Sequence, residues 1–273
     1  MAYEDYALLH IAVDGGVCRA TIDHPPINLL DVPLMGEIAR LTDDVAADDD
    51  VRVLVVDSAD PEFFIAHADV ELIQGLPTDD TGLHDERSPF HALMERFRTL
   101  PKATIAVIEG IARGGGSEFA MTFDMRYAAL GKARLGQPEV AVGIIPGGGG
   151  TQRLPRLVGR GRALEVILGC MDIDAATAEA WGYVDRALPA DELHRFVDTL
   201  AARIAAAPIE AVSRAKQAVD AALDGRFDLT TGLRVEDQLF REVLAEPVAR
   251  QRLQAILDAG AQTREFELGE IRL

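Results

Sequence analysis

The sequence predicts an α/β body followed by a helical C-terminal region. Two runs, VRVLVVDSA (51–59) and ATIAVIE (103–109), are almost wholly apolar and rich in β-branched residues, as expected of buried strands. Segments with apolar residues three or four positions apart alternate with them, which is the pattern of α/β chains. After about residue 190 no strand-like run remains and the helical spacing continues to the end. The expected division is 1–204 for the α/β body and 205–273 for the helical region.

Each element follows from local signals. Residues 8–13 and 17–23 flank Gly15-Gly16 and read as a hairpin. HPPINLLDVP reads as a loop, and Leu34, Ile38, Leu41 and Val45 mark one face of a helix over 33–46. GLPTDDTGLHDERS (75–88) is polar and turn-rich, a surface loop that ends at Ser88-Pro89, a good helix start. Phe90, Leu93, Met94 and Phe97 give that helix its apolar face. Beyond the second strand, a glycine run leads into a helix from about Ser117, and MRYAAL (125–130) reads as a strand. GQPEV and IIPGGGGTQR lead into helical segments ending near Cys170. Residues 175–181 form a short helix that Gly182 ends, and YVDRAL reads as a strand. Pro208 opens a segment with Ile209, Val212, Val219 and Leu223 on one face. That face packs either on the chain's own body or on a partner subunit.

The 273 residues suffice for a substantial core, and 45 acidic against 27 basic side chains give a net charge of −18. Nucleic-acid binding needs a basic footprint, and adsorption to anionic membranes needs positive charge, so neither is expected. Cys18 and Cys170 are far apart and in no metal-like spacing, which fits a reducing compartment. The N-terminus MAYEDYALLH lacks an apolar stretch, and no run approaches the ~20 residues of a membrane span. A cytoplasmic protein is expected.

Several motifs fail. GIIPGGGGTQR lacks the Gly-Lys-Ser/Thr ending of a phosphate loop. No dinucleotide fingerprint sits between a strand and a helix. Ser117 follows three glycines, but Phe119 stands where a nucleophile elbow requires glycine. No histidine spacing suggests a metal site.

What remains is a constellation of three segments. RGGGSEFAM places Glu118 just past a glycine run, and GQPEV places Glu139 after another turn. FFIAHAD (63–69) puts small residues at the end of a strand–loop unit. A glycine run entering a helix leaves free N–H groups aimed at a ligand, and small residues admit a close approach. Two such segments could supply two N–H groups to one oxygen, an oxyanion hole, with two carboxylates beside it to move protons or activate water.

These segments resemble the crotonase superfamily of enoyl-CoA hydratases and isomerases, and in motif they are closest to the hydratases. HPPINLL (24–30) is similar to the family's Pro-x-Asn loop, FFIAHAD to its Ala-Gly-x-Asp segment, and GIARGGGSEFAMTFD to its strand–glycine–helix segment. LGQPEVAVGIIPGGGGTQRLPRLVG is the most specific stretch, and AATAEAWGYVD resembles the Ala-x-x-Gly-Leu-Val segment. The resemblance implies a right-handed spiral of β-β-α turns whose C-terminal helices build homotrimers, often paired into hexamers. It implies acyl-CoA thioester substrates, with coenzyme A as part of the substrate and no permanently bound cofactor or metal. Carried over by position, Ala68 and Gly115 are the oxyanion donors and Glu118 and Glu139 the catalytic acids. Pro26, Ile27, Ala66, His67, Asp69 and Gly114 line the substrate site. Glutamates at both acid positions favour hydration of a 2-enoyl-CoA. Isomerisation, thioester hydrolysis or acyl-CoA binding with weak catalysis are the alternatives.

Two positions depart from the pattern. His67 stands where the family has glycine. If that position needs positive φ the residue is strained. Its ring either points away or adds a proton donor to the site. Glu71 replaces a frequent basic residue, which leaves Lys102 and Arg113 as candidates for the CoA phosphates.

Overall fold

The computed structural model describes residues 3–269 except 80, 81, 83, 224 and 226. Chain contacts divide it into two compact units, Met1–Ala202 and Arg203–Leu273.

The first unit opens with β1 (Leu9–Asp14) and β2 (Val17–Ile22), an antiparallel hairpin turned by Gly15 and Gly16. The helix α1 (Val32–Ala47) buries Leu34, Ile38, Leu41 and Val45, the four residues whose spacing announces it, and the Asp31 carboxylate caps it through Leu34 N–H. Next come β3 (Val53–Ser58), β4 (Phe63–Ile65) and the short α2 (Val70–Gln74). The expected surface loop follows. Its described residues form neither helix nor strand, and residues 80, 81 and 83 lie outside the described set. Helix α3 (Pro89–Arg98) starts at a Ser88 cap and buries Met94 and Phe97.

Strands β5 (Ala103–Ile108) and β6 (Ile111–Arg113) lead into α4 (Gly115–Ala120). Then come β7 (Met125–Ala129) and β8 (Arg134–Gly136), a 3₁₀ turn over Glu139–Val142, and the helices α5 (Gly150–Val158) and α6 (Arg160–Gly169). The unit closes with β9 (Ile173–Asp174), α7 (Ala175–Trp181), β10 (Arg186–Leu188) and most of α8 (Ala190–Ala205).

One sheet runs β1-β2-β3-β5-β7-β10 and the other β4-β6-β8-β9. The strand pairs β3/β4, β5/β6 and β7/β8 each place one strand in each sheet, and like strands pair in parallel. That stepping is a spiral of β-β-α turns. Every residue of β5 is buried, as a central parallel strand requires. Phe97, Phe119 and Phe123 form an aromatic triangle with centroids 4.8–5.0 Å apart, which anchors α4 against α3.

The second unit contains α9 (Ile209–Leu223), α10 (Leu229–Ala245), α11 (Pro247–Asp258) and the short α12 (Arg264–Glu267). Arg214 on α9 pairs with Glu242 on α10 at 3.0 Å, and Arg252 donates to the Ala206 carbonyl at 2.8 Å.

Candidate active site

The C-terminal ends of β4, β6 and β8 lie side by side because these strands are parallel neighbours. Ligands in α/β sheets gather at such strand ends. Here β4 delivers Ala66–Asp69, β6 delivers Gly114 and Gly115, and β8 delivers Gln137 and Glu139.

Gly115 and Ala68 meet across this corner. A Cβ on Gly115 would lie 2.8 Å from Ala68 Cβ and 3.2 Å from Ala68 N. Among the described residues, neither the Ala68 nor the Gly115 amide donates to a protein acceptor. Gly115 begins α4, where the first N–H groups have no intrahelical partner. Gly114 turns the chain at φ 47°, and its amide is tied to the Gly136 carbonyl at 2.9 Å. Gly116 has no room for a side chain, because a Cβ there would overlap the Ile65 carbonyl. The helix therefore starts two residues earlier than the sequence suggests, inside the glycine run.

Ala68 is fixed through its neighbours. Leu30 N–H donates to the His67 carbonyl at 3.0 Å, and Asp69 N–H donates to Leu30 O at 3.1 Å. The Asp69 carboxylate accepts from Glu71 N–H at 2.8 Å, so it caps α2 and holds the loop. Ala66 is buried, and its N–H reaches the Ile27 carbonyl at 3.2 Å, tying the Pro26–Ile27 loop to this segment. The loop is pinned beneath by Asn28, whose amide donates to Phe63 O at 3.1 Å and Ser58 Oγ at 2.8 Å.

His67 does not have positive φ, so the feared strain is absent. Its ring Nδ1 sits 2.9 Å from the Ala68 carbonyl, which fixes Nδ1 as the protonated nitrogen of the neutral ring. The expected phosphate partners are corrected too. Lys102 is buried with Nζ on the Asp48 carbonyl at 2.8 Å, and Arg113 is bound to Asp172 through two contacts of 2.7 and 2.5 Å.

The two glutamates flank the corner. Glu118, on the first turn of α4, is 2% exposed. Its Oε1 accepts from Gly148 N–H at 2.7 Å and Gly150 N–H at 2.8 Å. Burial pushes its carboxyl up, and those two N–H groups and Arg153 pull it back part of the way. Glu139 begins the 3₁₀ turn, and its Oε1 lies 2.8 Å from where a Cβ on Gly114 would stand. Burial, with the added charge of Glu118, raises its pKa to about 7, against the pull of its own backbone N–H. Gln137, fully buried, lies with its amide nitrogen 3.1 and 3.2 Å from the two Glu139 oxygens. That orientation serves the ionised Glu139, which only accepts, whereas a protonated Glu139 donates to the amide oxygen of the opposite orientation.

Sequence reasoning missed the supports. Within the glycine run at 147–150, rejected as a phosphate loop, Gly148 and Gly150 instead aim their N–H groups at Glu118. Arg153 bridges that loop to α3, donating to Gly148 O at 2.9 Å and Glu95 at 2.6 Å. Only the TQR triplet that follows the glycines gives a signal for it. Among the described residues no cluster of His, Cys, Asp or Glu is arranged to hold a metal ion, and no helix is long and apolar enough to cross a membrane.

A spiral of β-β-α turns with this corner of glycine, alanine and two sheltered carboxylates has the architecture of the crotonase superfamily. The family model described as enoyl-CoA hydratase/isomerase matches residues 12–262, and the chain belongs to that family. A Rhizobium meliloti protein named "Probable enoyl-CoA hydratase" is 36% identical over 241 residues, covering 88% of this chain and 91% of that protein. The short-chain-enoyl-CoA hydratase of Clostridium acetobutylicum is 31% identical over 249 residues, covering 90% and 92%. The crystal structure of an enoyl-CoA hydratase from Bacillus anthracis superposes with a TM-score of 0.83 at 31% identity, covering 92% of this chain and 96% of that one. The chain is thus an enzyme of the crotonase superfamily.

Proposed function

We propose that this protein is a 2-enoyl-CoA hydratase, adding water across the 2,3 double bond of the thioester. One observation carries the reading: two sheltered carboxylates, close enough for their charges to interact, flank a pair of free backbone amides. Ala68 N–H and Gly115 N–H bind the thioester oxygen and stabilise the enolate that forms when water adds to C3. A donor of this kind contributes about 10²–10³ in rate.

The two acids divide the work by environment. Glu118 Oε1 is held by two N–H groups and Arg153 lies near, all of which favour the ionised form. Its Oε2 is the base that takes a proton from the attacking water. Glu139, with a pKa near 7, holds a proton that it delivers to C2. The water oxygen bonds to C3, one proton reaches Glu118, one leaves Glu139 for C2, and exchange with solvent resets the pair. Isomerisation needs one proton carrier, so the second carboxylate favours hydration. No cofactor or metal takes part in this scheme. Coenzyme A enters with the substrate.

The test is crotonyl-CoA with purified protein, following loss of the conjugated thioester absorbance and the product mass. A gain of one water is expected, and Glu118→Gln or Glu139→Gln should lower kcat by about 10²-fold or more. A product of unchanged mass with a moved double bond, or free CoA, would overturn the hydratase reading.

A further inference from the structure

The apolar face of α3 is not covered evenly. Met94 and Phe97 are completely buried, whereas Phe90 and Leu93 only lean on the core. Phe90 is the second residue of the helix, just past the Ser88 cap and Pro89, so its backbone is set where the polar loop ends. The helix is tied to the elements that carry the site. Phe97 packs against Phe119 on α4, and Glu95 takes the Arg153 clamp from α5.

The ring of Phe90 reaches Glu118. The position where a Cβ on Gly148 would stand lies 2.5 Å from Phe90 Cε1 and 2.6 Å from Glu118 Oε2, so ring edge and oxygen are no farther apart than those two distances together. An aromatic edge carries the positive part of the ring's quadrupole, which suits it to stand beside a carboxylate. The other oxygen is closed off. Oε1 accepts from Gly148 N–H and Gly150 N–H, and a Cβ on Gly150 would touch both Oε1, at 3.0 Å, and the Gln137 side chain, at 3.1 Å. Among the described residues no donor is bonded to Oε2. Water and the C3 atom it attacks therefore meet Glu118 at Oε2, the oxygen that Phe90 flanks. The space there is small, because Glu118 is only 2% exposed.

We propose that Phe90 is a specificity-determining residue, a wall beside Glu118 that admits 2-enoyl-CoA thioesters with a small unbranched group on C3 and rejects bulkier ones. The proposal rests on the reading of Glu118 as the base for hydration. The group on C3 points away from the thioester held at Ala68 and Gly115, and it meets the ring edge. A methylene more or less in a close-fitting apolar pocket changes the rate about 10- to 200-fold, so one side chain is enough to set the choice. The helix start that carries Phe90 is capped and clamped, so a bulky substrate does not push the ring aside.

The experiment compares crotonyl-CoA, which carries a methyl group on C3, with 4-methyl-2-pentenoyl-CoA, which carries an isopropyl group. The readout is the ratio of their kcat/KM values for hydration, in which any loss of folded enzyme cancels. Wild type should favour crotonyl-CoA by about 10-fold or more, and Phe90→Ala should lower that preference by about 10-fold or more. Phe90→Leu should fall between the two, and it carries the test if Phe90→Ala does not fold. An unmoved ratio in the folded variants, or a wild type that takes both thioesters equally well, overturns the proposal and leaves the hydratase reading standing. Products without added water from both thioesters would instead overturn the hydratase reading, and the proposal with it.

Discussion

Glu139 links the site to stability through its proton. Its folded pKa is raised from 4.5 to about 7, so below 4.5 it is protonated in folded and unfolded chains and its contribution is fully present. As pH rises through this window the unfolded chain ionises while the folded one resists, and the contribution is gone above about 7. Glu118 is shifted in the same direction. Asp172, lowered chiefly by Arg113, and Glu95, lowered by Arg153 and Arg98 against burial, act oppositely, below the ordinary carboxylate range. The melting temperature should therefore fall between about pH 5 and 8, and Glu139→Gln should flatten that decline and melt higher at pH 8. A steeper decline in the variant would refute the assignment. Gly148 offers a second test, since a Cβ there would stand 2.5 Å from Phe90 Cε1 and 2.6 Å from Glu118 Oε2. Gly148→Ala should lower kcat by about 10²-fold with little change in KM, measured by steady-state kinetics. At this scale the sequence exposed the two acids, because a carboxylate after a glycine turn is chemically conspicuous. Gln137 and Arg153 were hidden, because their meaning lies in partners 2 to 58 positions away. Lys102 and Arg113 misled for the same reason, since a basic residue looks free until its partner is seen.

The elements divide by length in how readily they could be read. Helix α1 announces itself through four buried residues at helical spacing, and Ser88-Pro89 and Gly182 mark real ends. The second sheet was barely visible, because β4, β6 and β8 have three residues each and show no periodicity. Those strands are the ones whose ends carry the site. YVDRAL pairs only over Arg186–Leu188, since Tyr183 and Val184 turn inward from the α7 cap. The contact between α3 and α5 is the element-scale device. Arg153 on α5 clamps Glu95 on α3 and the Gly148 carbonyl, so the loop that holds Glu118 is braced from a separate helix. Arg153→Met keeps length and packing and removes the clamp. It should lower kcat by about 10- to 100-fold while the thioester KM stays near wild type. A loss confined to KM would mean that Arg153 contacts substrate instead of supporting Glu118.

On the scale of the whole molecule, the helical tail poses the question that the sequence left between self-packing and a partner. The tail helices carry Val219, Leu223, Leu233 and Leu244 exposed, with Leu229 80% and Phe240 62% exposed. Exposed apolar groups on neighbouring helices would serve as an interaction surface in a chain of this net charge. We infer that they assemble copies of this chain, as a trimer or a pair of trimers. The charge of −18 per chain opposes association, and salt screens that repulsion, so assembly should tighten as ionic strength rises. Sedimentation should find a species about three or six times the 29.5 kDa chain. Leu233→Glu with Phe240→Glu places two more negative charges on the apolar face and should yield folded 29.5 kDa monomers. Retained helicity by circular dichroism would separate dissociation from unfolding. A wild-type chain that sediments as a monomer at high salt would show instead that the tail closes on its own chain.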